Sequence, residues 1–373
     1  MSLSSKSPRG PAYPLSVAPM VDRTDRHYRV IMRAVTRRTL LYTEMISLSA
    51  ALGRDQARVL GFDPIERPVS LQLGGDDPAR LAEAAAVATA MGYDEIDLNC
   101  GCPSPRVQQG RFGVILMKDP ARVAQCVEAM RKATPLPVTV KQRLGVDDLD
   151  QYEHAADFVA QVADAGADRV IVHARKAWLQ GLSPAQNRTV PPLRWSWVHR
   201  LKAEHPSLRV EINGGITTLA QAADHLQQGL DGVMIGRAAY DDPMLFANAD
   251  ALIDAHERGE PWPADEPTNR VDSNQRFAVL RSLLPYVERS VEQGHRLSFV
   301  TRHFMGFVHG LPGARRFRRC LSEQARLPGA STKLLASAID ELEANVEKNR
   351  LSGRFSGEGS TAASQPTGSA SAP

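Results

Sequence analysis

Two cysteines one glycine apart, Cys100 and Cys102 in the stretch DLNCGCP (97–103), are the side chains most suited to chemistry in this 373-residue chain. A C-x-C pair serves as half a metal site, a redox couple, buried packing, or one working thiol beside an incidental one; the stretch alone leaves all four open. The other cysteines, Cys126 and Cys320, form no second C-x-C or C-x-x-C, so neither a four-ligand metal site nor a disulfide framework is expected. A second group is glycine-rich: INGGI (212–216) carries Asn213, Gly214 and Gly215, and MIGRAAYDDP (234–243) carries Gly236 and Arg237. Glycines let backbone N–H groups approach an anion and an arginine adds a charged donor, so these stretches suit phosphate. A third group is Gln72, Lys141 and His173: an amide, an ammonium and an imidazole, each ending an apolar, β-branched run.

Side chains so far apart in sequence meet only if a regular scaffold brings them together. Eight strand-like runs follow one another, at 15–20, 40–47, 69–75, 95–101, 137–143, 169–175, 209–215 and 232–237. Helical stretches separate them, among them DDPARLAEAAAVATAMG and DPARVAQCVEAMRKA, opening on a polar cap or proline and mostly closing on glycine. Eight β-then-α units in about 235 residues predict an α/β fold, a (β/α)8 TIM barrel, over an open doubly wound sheet. In such a barrel function collects where strands end, and all three groups stand at those ends. The expected organisation is a disordered segment at 1–14, the barrel at 15–250, a Pro- and acid-rich linker at 251–269, a smaller all-α domain at 270–350, and a disordered Ser/Gly/Ala-rich tail at 351–373.

On adjacent strands seven and eight, the glycine turns and Arg237 then form one phosphate site. Gln72, Lys141 and His173 suit the polar rim of a planar heterocycle, and an ammonium near the pyrimidine end of a flavin would stabilise the charge of the reduced ring. Together these features favour flavin mononucleotide, FMN.

The motifs APM, LQLGG, DLNCGCPSPRVQQGRFG, VKQRLGVDD, VHARKAWLQGLSPAQNR, INGGI and IGRAAYDDP, in this order, resemble those of the tRNA-dihydrouridine synthases over about residues 15 to 325. HARKAWLQGLSP, NRTVPPL and RHFMGFVHGLPGARRFRR resemble the A-type bacterial subfamily in particular, which is associated with uridines 20 and 20a of the tRNA D-loop. The resemblance implies an FMN-binding barrel, a helical C-terminal domain that grips tRNA, and NADPH-dependent reduction of uridine to 5,6-dihydrouridine. Residue by residue it assigns FMN to Pro19, Met20, Val21, Gln72, Lys141, His173, Asn213, Gly214, Gly215, Gly236 and Arg237. It makes Cys102 the proton donor and sets Asn99 against the uracil edge. The chemistry is coherent: addition of hydride at uracil C6 leaves carbanion character at C5, and a neutral thiol can supply the proton. Such a thiol should not be acidified, and its neighbours Gly101 and Pro103 bring no cation. Cys100 is then read as packing.

A target base must leave its stack to reach the flavin, so a surface that grips the RNA backbone is required elsewhere. The whole chain carries +3, whereas residues 270–350 hold 14 Lys+Arg and 8 Asp+Glu, a surplus of 14 − 8 = +6. The density peaks at Arg315, Arg316, Arg318 and Arg319, the expected phosphate contacts, and a second arginine cluster (Arg23, Arg26, Arg29, Arg33, Arg37, Arg38) follows the first strand. Arg188 and Arg302 are expected to orient substrate; Ala185 stands where related sequences often carry lysine. The sequence shows no signal peptide, no run long enough to span a membrane and no metal-ligand set, so a cytoplasmic monomer is expected. Two alternatives stay open: an FMN barrel that reduces a free pyrimidine, which would not need the basic helices, and a non-catalytic tRNA-binding chaperone.

Overall fold

The computed structural model describes residues 8–262 and 272–354, and the chain divides into two compact units, Met1–Glu266 and Pro267–Pro373. In the first unit nine strands form one parallel sheet: β1 (Leu15–Val17), β2 (Leu41–Tyr42), β3 (Ile46–Ser47), β4 (Val69–Gly74), β5 (Glu95–Cys100), β6 (Val138–Arg143), β7 (Arg169–His173), β8 (Arg209–Asn213) and β9 (Gly232–Ile235). Their order is β1-β9-β8-β7-β6-β5-β4-β2, with β3 also on β4. Val17 N–H donates to Leu40 O at 2.9 Å and Leu40 N–H to Leu15 O at 3.1 Å, joining the ends of the sheet into a (β/α)8 barrel. The single second strand expected at 40–47 is split. At the break the Thr43 hydroxyl, instead of a backbone carbonyl, accepts from Gln72 N–H at 3.0 Å.

Alternation along each strand sorts side chains to two sides of the barrel wall. On β5, Ile96, Leu98 and Cys100 join the large apolar core beneath the helices, whereas Glu95, Asp97 and Asn99 alternate with them. Polar residues from β5 therefore face the interior, while Ala18, Leu40, Tyr42, Ile171 and Met234 form a small apolar cluster apart from the outer core. Arg169 pairs with Glu95 at 2.6 Å and Glu211 at 3.0 Å, Tyr42 donates to Glu95 at 3.0 Å, and Ser16 donates to Glu211. Burial raises both glutamates in pKa against the pull of Arg169, so this base of the barrel is an electrostatically costly filling. Asp77 and Asp119, each before a proline, cap the helices Pro78–Ala90 and Pro120–Ala133.

Two boundary expectations need correction. Residues 8–14, expected to be disordered, are tied to the barrel: Arg9 N–H donates to Asp168 at 2.7 Å, and the Arg209 guanidinium donates to the carbonyls of Arg9, Gly10 and Pro11. The linker expected from 251 instead begins inside a helix, Ala249–Glu257, whose Leu252 and Ile253 are buried in the barrel core. Residues 263–269 of that linker, residues 270–271 of the expected all-α domain, and the segments 1–7 and 355–373 lie outside the described residues.

The second unit is helical, with Ser273–Ser282, Leu284–Glu292, Leu297–Thr301, Ala314–Gln324 and Thr332–Leu351 packed on Phe277, Leu280, Phe304, Phe307, Phe317 and Ile339. No described helix is long and apolar enough to cross a membrane.

Candidate active site

The carboxyl ends of the strands gather the polar residues at one rim. In register, Gln72 lies beside Asp97, Asn99 beside Lys141, Arg143 beside His173, and His173 beside Asn213. Lys141 is 9% exposed; its ammonium donates to Asn213 Oδ1 at 3.1 Å and, among the described residues, forms no ion pair. Burial pushes its pKa down, with Asp97 opposing. Asn213 in turn donates to Met234 O at 2.8 Å. His173 is held neutral, first by burial and then by the nearby cations Arg143, Lys141, Arg175 and Arg237.

The thiol-bearing loop is clamped from below. Asn99 Oδ1 accepts from Gly101 N–H at 3.1 Å and Cys102 N–H at 3.0 Å, and Asn99 Nδ2 donates to Gln72 Oε1 at 2.9 Å. Cys102 O accepts from Val114 N–H at 3.0 Å, and Gly113 makes that approach possible: a Cβ there would stand 2.6 Å from Cys102 O, at φ +77°. Burial raises the Cys102 thiol, while a Ser104 N–H and the cations Arg143, Arg188 and Lys141 pull it down; the net direction is up, so the thiol stays protonated at neutral pH. The sequence neighbours of Cys102 bring no cation, but the fold brings three. Cys100 is fully buried in the outer core with Cys126.

Strand ends seven and eight carry the glycine turns. Gly214 (φ +107°) and Gly215 (φ +78°) occupy left-handed backbone, and a Cβ on Gly214 would sit 2.5 Å from His173 Cδ2. Gly236 has φ −109° and caps a short helix that Arg237 begins. The exposed Arg237 guanidinium donates to Arg188 O at 3.1 Å, joining the last strand to the 174–190 loop. Pro19, Met20 and Val21 follow β1; Ala18 and Met20 approach Gly236, and Val21 is 56% exposed.

Two residues outside the sequence expectation complete this architecture. Arg143 is 3% exposed; its Nε donates to Gly101 O at 2.9 Å, and its Nη1 to Lys176 O at 3.1 Å and Asn187 O at 2.9 Å. It thus ties the cysteine loop to the loop bearing Arg188. Asp97 lies beneath Gln72 and accepts from its Nε2 at 2.7 Å. Both are charges in otherwise apolar runs, a signal that does not by itself separate barrel interior from solvent face.

The remaining expected residues, Arg302, Arg315, Arg316, Arg318 and Arg319, lie in the second unit. Arg315 and Arg319 are exposed on the helix Ala314–Gln324, Arg316 pairs with Glu341 at 3.0 Å, and Arg318 Nε donates to Met305 O at 3.1 Å. Arg302 Nε lies 3.1 Å from His303 Nε2. The cluster after β1 is largely structural. Arg29 pairs with Glu66 at 2.6 Å, Arg33 donates to three backbone carbonyls, and Arg38 is paired with Asp254 and Glu257. Among the described residues no group of three or more His, Cys, Asp or Glu side chains is placed to hold a metal.

The family model for dihydrouridine synthase (Dus) matches residues 16–343. A tRNA-dihydrouridine(20/20a) synthase of Xanthomonas axonopodis pv. citri is 53% identical over 329 residues, covering 88% of this chain and 94% of the relative. Proteins of the same name from Synechocystis sp. and Escherichia coli O6:H1 are 52% and 47% identical, covering 87% and 88% of this chain and 93% and 95% of their own lengths.

Proposed function

Since the chain belongs to the dihydrouridine synthase family, we propose that it reduces uridine to 5,6-dihydrouridine in the D-loop of tRNA, at positions 20 and 20a, with FMN in the barrel mouth and NADPH as reductant. The observation that carries this reading is the seating of Cys102: a partly exposed, protonated thiol on a loop whose N–H groups donate to Asn99, itself bonded to Gln72, and whose Gly101 carbonyl accepts from Arg143 on the strand of Lys141. The residues fit the cofactor. Lys141 is a buried ammonium with one hydrogen-bond partner among the described residues, leaving two N–H groups for ring acceptors, and the Asn213 to Gly215 turn with Gly236 and Arg237 suits a phosphate. Bound there, FMN would supply the hydride that uracil C6 takes up.

The protein's own residues account for the rest. Cys102 gives its proton to C5, which needs an acid that is protonated at the working pH. Lys141 would supply positive charge to the polar rim of the flavin, and His173, kept neutral, would serve as a hydrogen-bonding group without adding charge. Pro19, Met20, Val21 and Gln72 line the cofactor bed. Asn99 and Arg188 orient the flipped uracil. Residues 270–350 grip the tRNA backbone through Arg302, Arg315, Arg316, Arg318 and Arg319, and the enzyme works where its tRNA resides, in the cytoplasm.

Purified protein should show a flavin absorbance spectrum, oxidise NADPH, and form dihydrouridine at positions 20 and 20a of unmodified tRNA, read by mass spectrometry of nuclease fragments. Cys102→Ala should keep flavin and NADPH oxidation while dihydrouridine formation collapses. Absence of flavin, or flavin reoxidation indifferent to tRNA, would overturn the reading; reoxidation by free uridine equal to that by tRNA would favour the free-pyrimidine reductase.

A further inference from the structure

The amides of Gln72 and Asn99 form part of a hydrogen-bond chain whose direction is fixed at both ends. At the upper end, the backbone N–H groups of Gly101 and Cys102 can only donate, so Asn99 must turn Oδ1 to them, at 3.1 and 3.0 Å. Its Nδ2 then faces Gln72 and donates to Oε1 at 2.9 Å. Gln72 must in turn present Nε2 below, where it donates to Asp97 Oδ2 at 2.7 Å. At the lower end Asp97, fully buried, accepts a second bond on Oδ1 from the Thr139 hydroxyl at 2.8 Å. Inverting either amide would set oxygen against oxygen or N–H against N–H in a buried site.

We propose that Asp97 is a positioning residue: as the terminal acceptor it fixes the polarity of the Asp97–Gln72–Asn99 relay, and through it the seating of the loop that carries Cys102. A consequence follows for substrate. Both lone pairs of Asn99 Oδ1 are taken by the loop, and one Nδ2 hydrogen remains. Asn99 can therefore offer a pyrimidine only a donor, which matches the carbonyl oxygen that gains charge as C6 is reduced and not the N3–H. This second step rests on the proposed uridine reduction; the relay itself does not.

Exchanging the two residues tests the relay. In Asn99→Asp the side chain still accepts from the loop but has no N–H for Gln72. In the double variant Asp97→Asn, Asn99→Asp the chain is matched again with both bonds of Gln72 reversed: the new amide donates to Gln72 Oε1, and Gln72 Nε2 donates to the new carboxylate. The exchange leaves the number of charges unchanged. Alkylation of Cys102 by iodoacetamide, followed on its own peptide by mass spectrometry, and the melting temperature report on the loop without tRNA or NADPH. Asn99→Asp should change the alkylation rate severalfold and lower the melting temperature by several degrees; the double variant should return both close to the parent values. Asp97→Asn alone, whose amide can turn either an acceptor or a donor to Gln72 and so no longer fixes the direction, should move both readouts the same way as Asn99→Asp but by less; parent values in both would overturn the positioning role of Asp97. Turnover on tRNA should stay about 100-fold low in the single Asn99→Asp and in the double variant, since neither can donate at residue 99. A double variant as unstable and as altered in alkylation as Asn99→Asp overturns the relay, and recovery of turnover in the double variant overturns the donor role of Asn99.

Discussion

If Cys102 is the acid that gives a proton to carbon, as proposed, it must hold that proton until the substrate is in place, and burial favours the protonated thiol. The thiol lies above its ordinary value of 9.0 even though Arg143, Arg188 and Lys141 approach it. If so, the protonated thiol is the working form and predominates below its pKa, so Cys102 should put no descending limb on tRNA-dependent reoxidation of reduced flavin around neutral pH; a fall that begins near 8 belongs to Lys141, pushed down to about 8 by burial, and the thiol adds its own fall of roughly tenfold per pH unit only above its raised value. Single-turnover absorbance changes across that range test this; a descending limb centred near pH 7 and absent from Cys102→Ala would mean the cations win over burial. Arg143 carries a second residue-scale expectation. Its removal would leave three carbonyls, the buried one of Asn187 and the part-buried ones of Gly101 and Lys176, short of donors. Arg143→Met should therefore cost ~2–4 kcal/mol in denaturant unfolding, and Arg143→Lys should recover only part, because one ammonium cannot reach three acceptors held by a planar fork. Gln72, Lys141, His173 and Cys102 are legible in the sequence as polar side chains that end apolar runs. Asp97 and Arg143 are not, because alternation marks a polar side without saying whether that side faces water or the inside of a barrel.

At the scale of elements, strand β7 and the turn after β8 are coupled through one missing methyl. Gly214 combines left-handed backbone with a position where a Cβ would meet His173 at 2.5 Å. Gly229 is also left-handed, at φ +90°, but a Cβ there would meet nothing within 4 Å. Gly229→Ala therefore measures backbone strain alone, about 1–2 kcal/mol. Gly214→Ala adds displacement of His173, so its loss of bound flavin, read as the flavin-to-protein absorbance ratio, should greatly exceed that of Gly229→Ala. Equal flavin content in the two variants would remove His173 from the cofactor bed. Eight β-then-α units are legible because apolar runs, Asp-Pro caps and glycine stops recur along the chain. The split of the second strand is not, since a side-chain hydroxyl, Thr43, takes the place of a ladder acceptor. Nor is the order at 8–14, which depends on Asp168 and Arg209, both remote in sequence.

At the scale of the whole molecule, charge is unevenly used. The arginines after β1 look like a basic surface in sequence, yet Arg29, Arg33 and Arg38 are committed to Glu66, to backbone carbonyls, and to Asp254 and Glu257. The second unit differs. On the helix Ala314–Gln324 the residues Ala314, Phe317 and Leu321 are buried, while Arg315 and Arg319, one turn apart, are exposed and form no ion pair among the described residues. Arg316, also exposed, is already paired with Glu341 at 3.0 Å. If this face grips the RNA backbone, the unpaired arginines should carry more of the affinity, because releasing Arg316 from its carboxylate offsets part of any phosphate contact. Arg315→Ala and Arg319→Ala should each weaken tRNA binding and reduce the slope of log affinity against log salt by about one, whereas Arg316→Ala should change the slope less. Filter-binding titrations over a salt series read this directly, and NADPH oxidation in the absence of tRNA should be the same in all three variants. An unchanged slope in Arg315→Ala and Arg319→Ala would move the RNA-binding surface away from this helix.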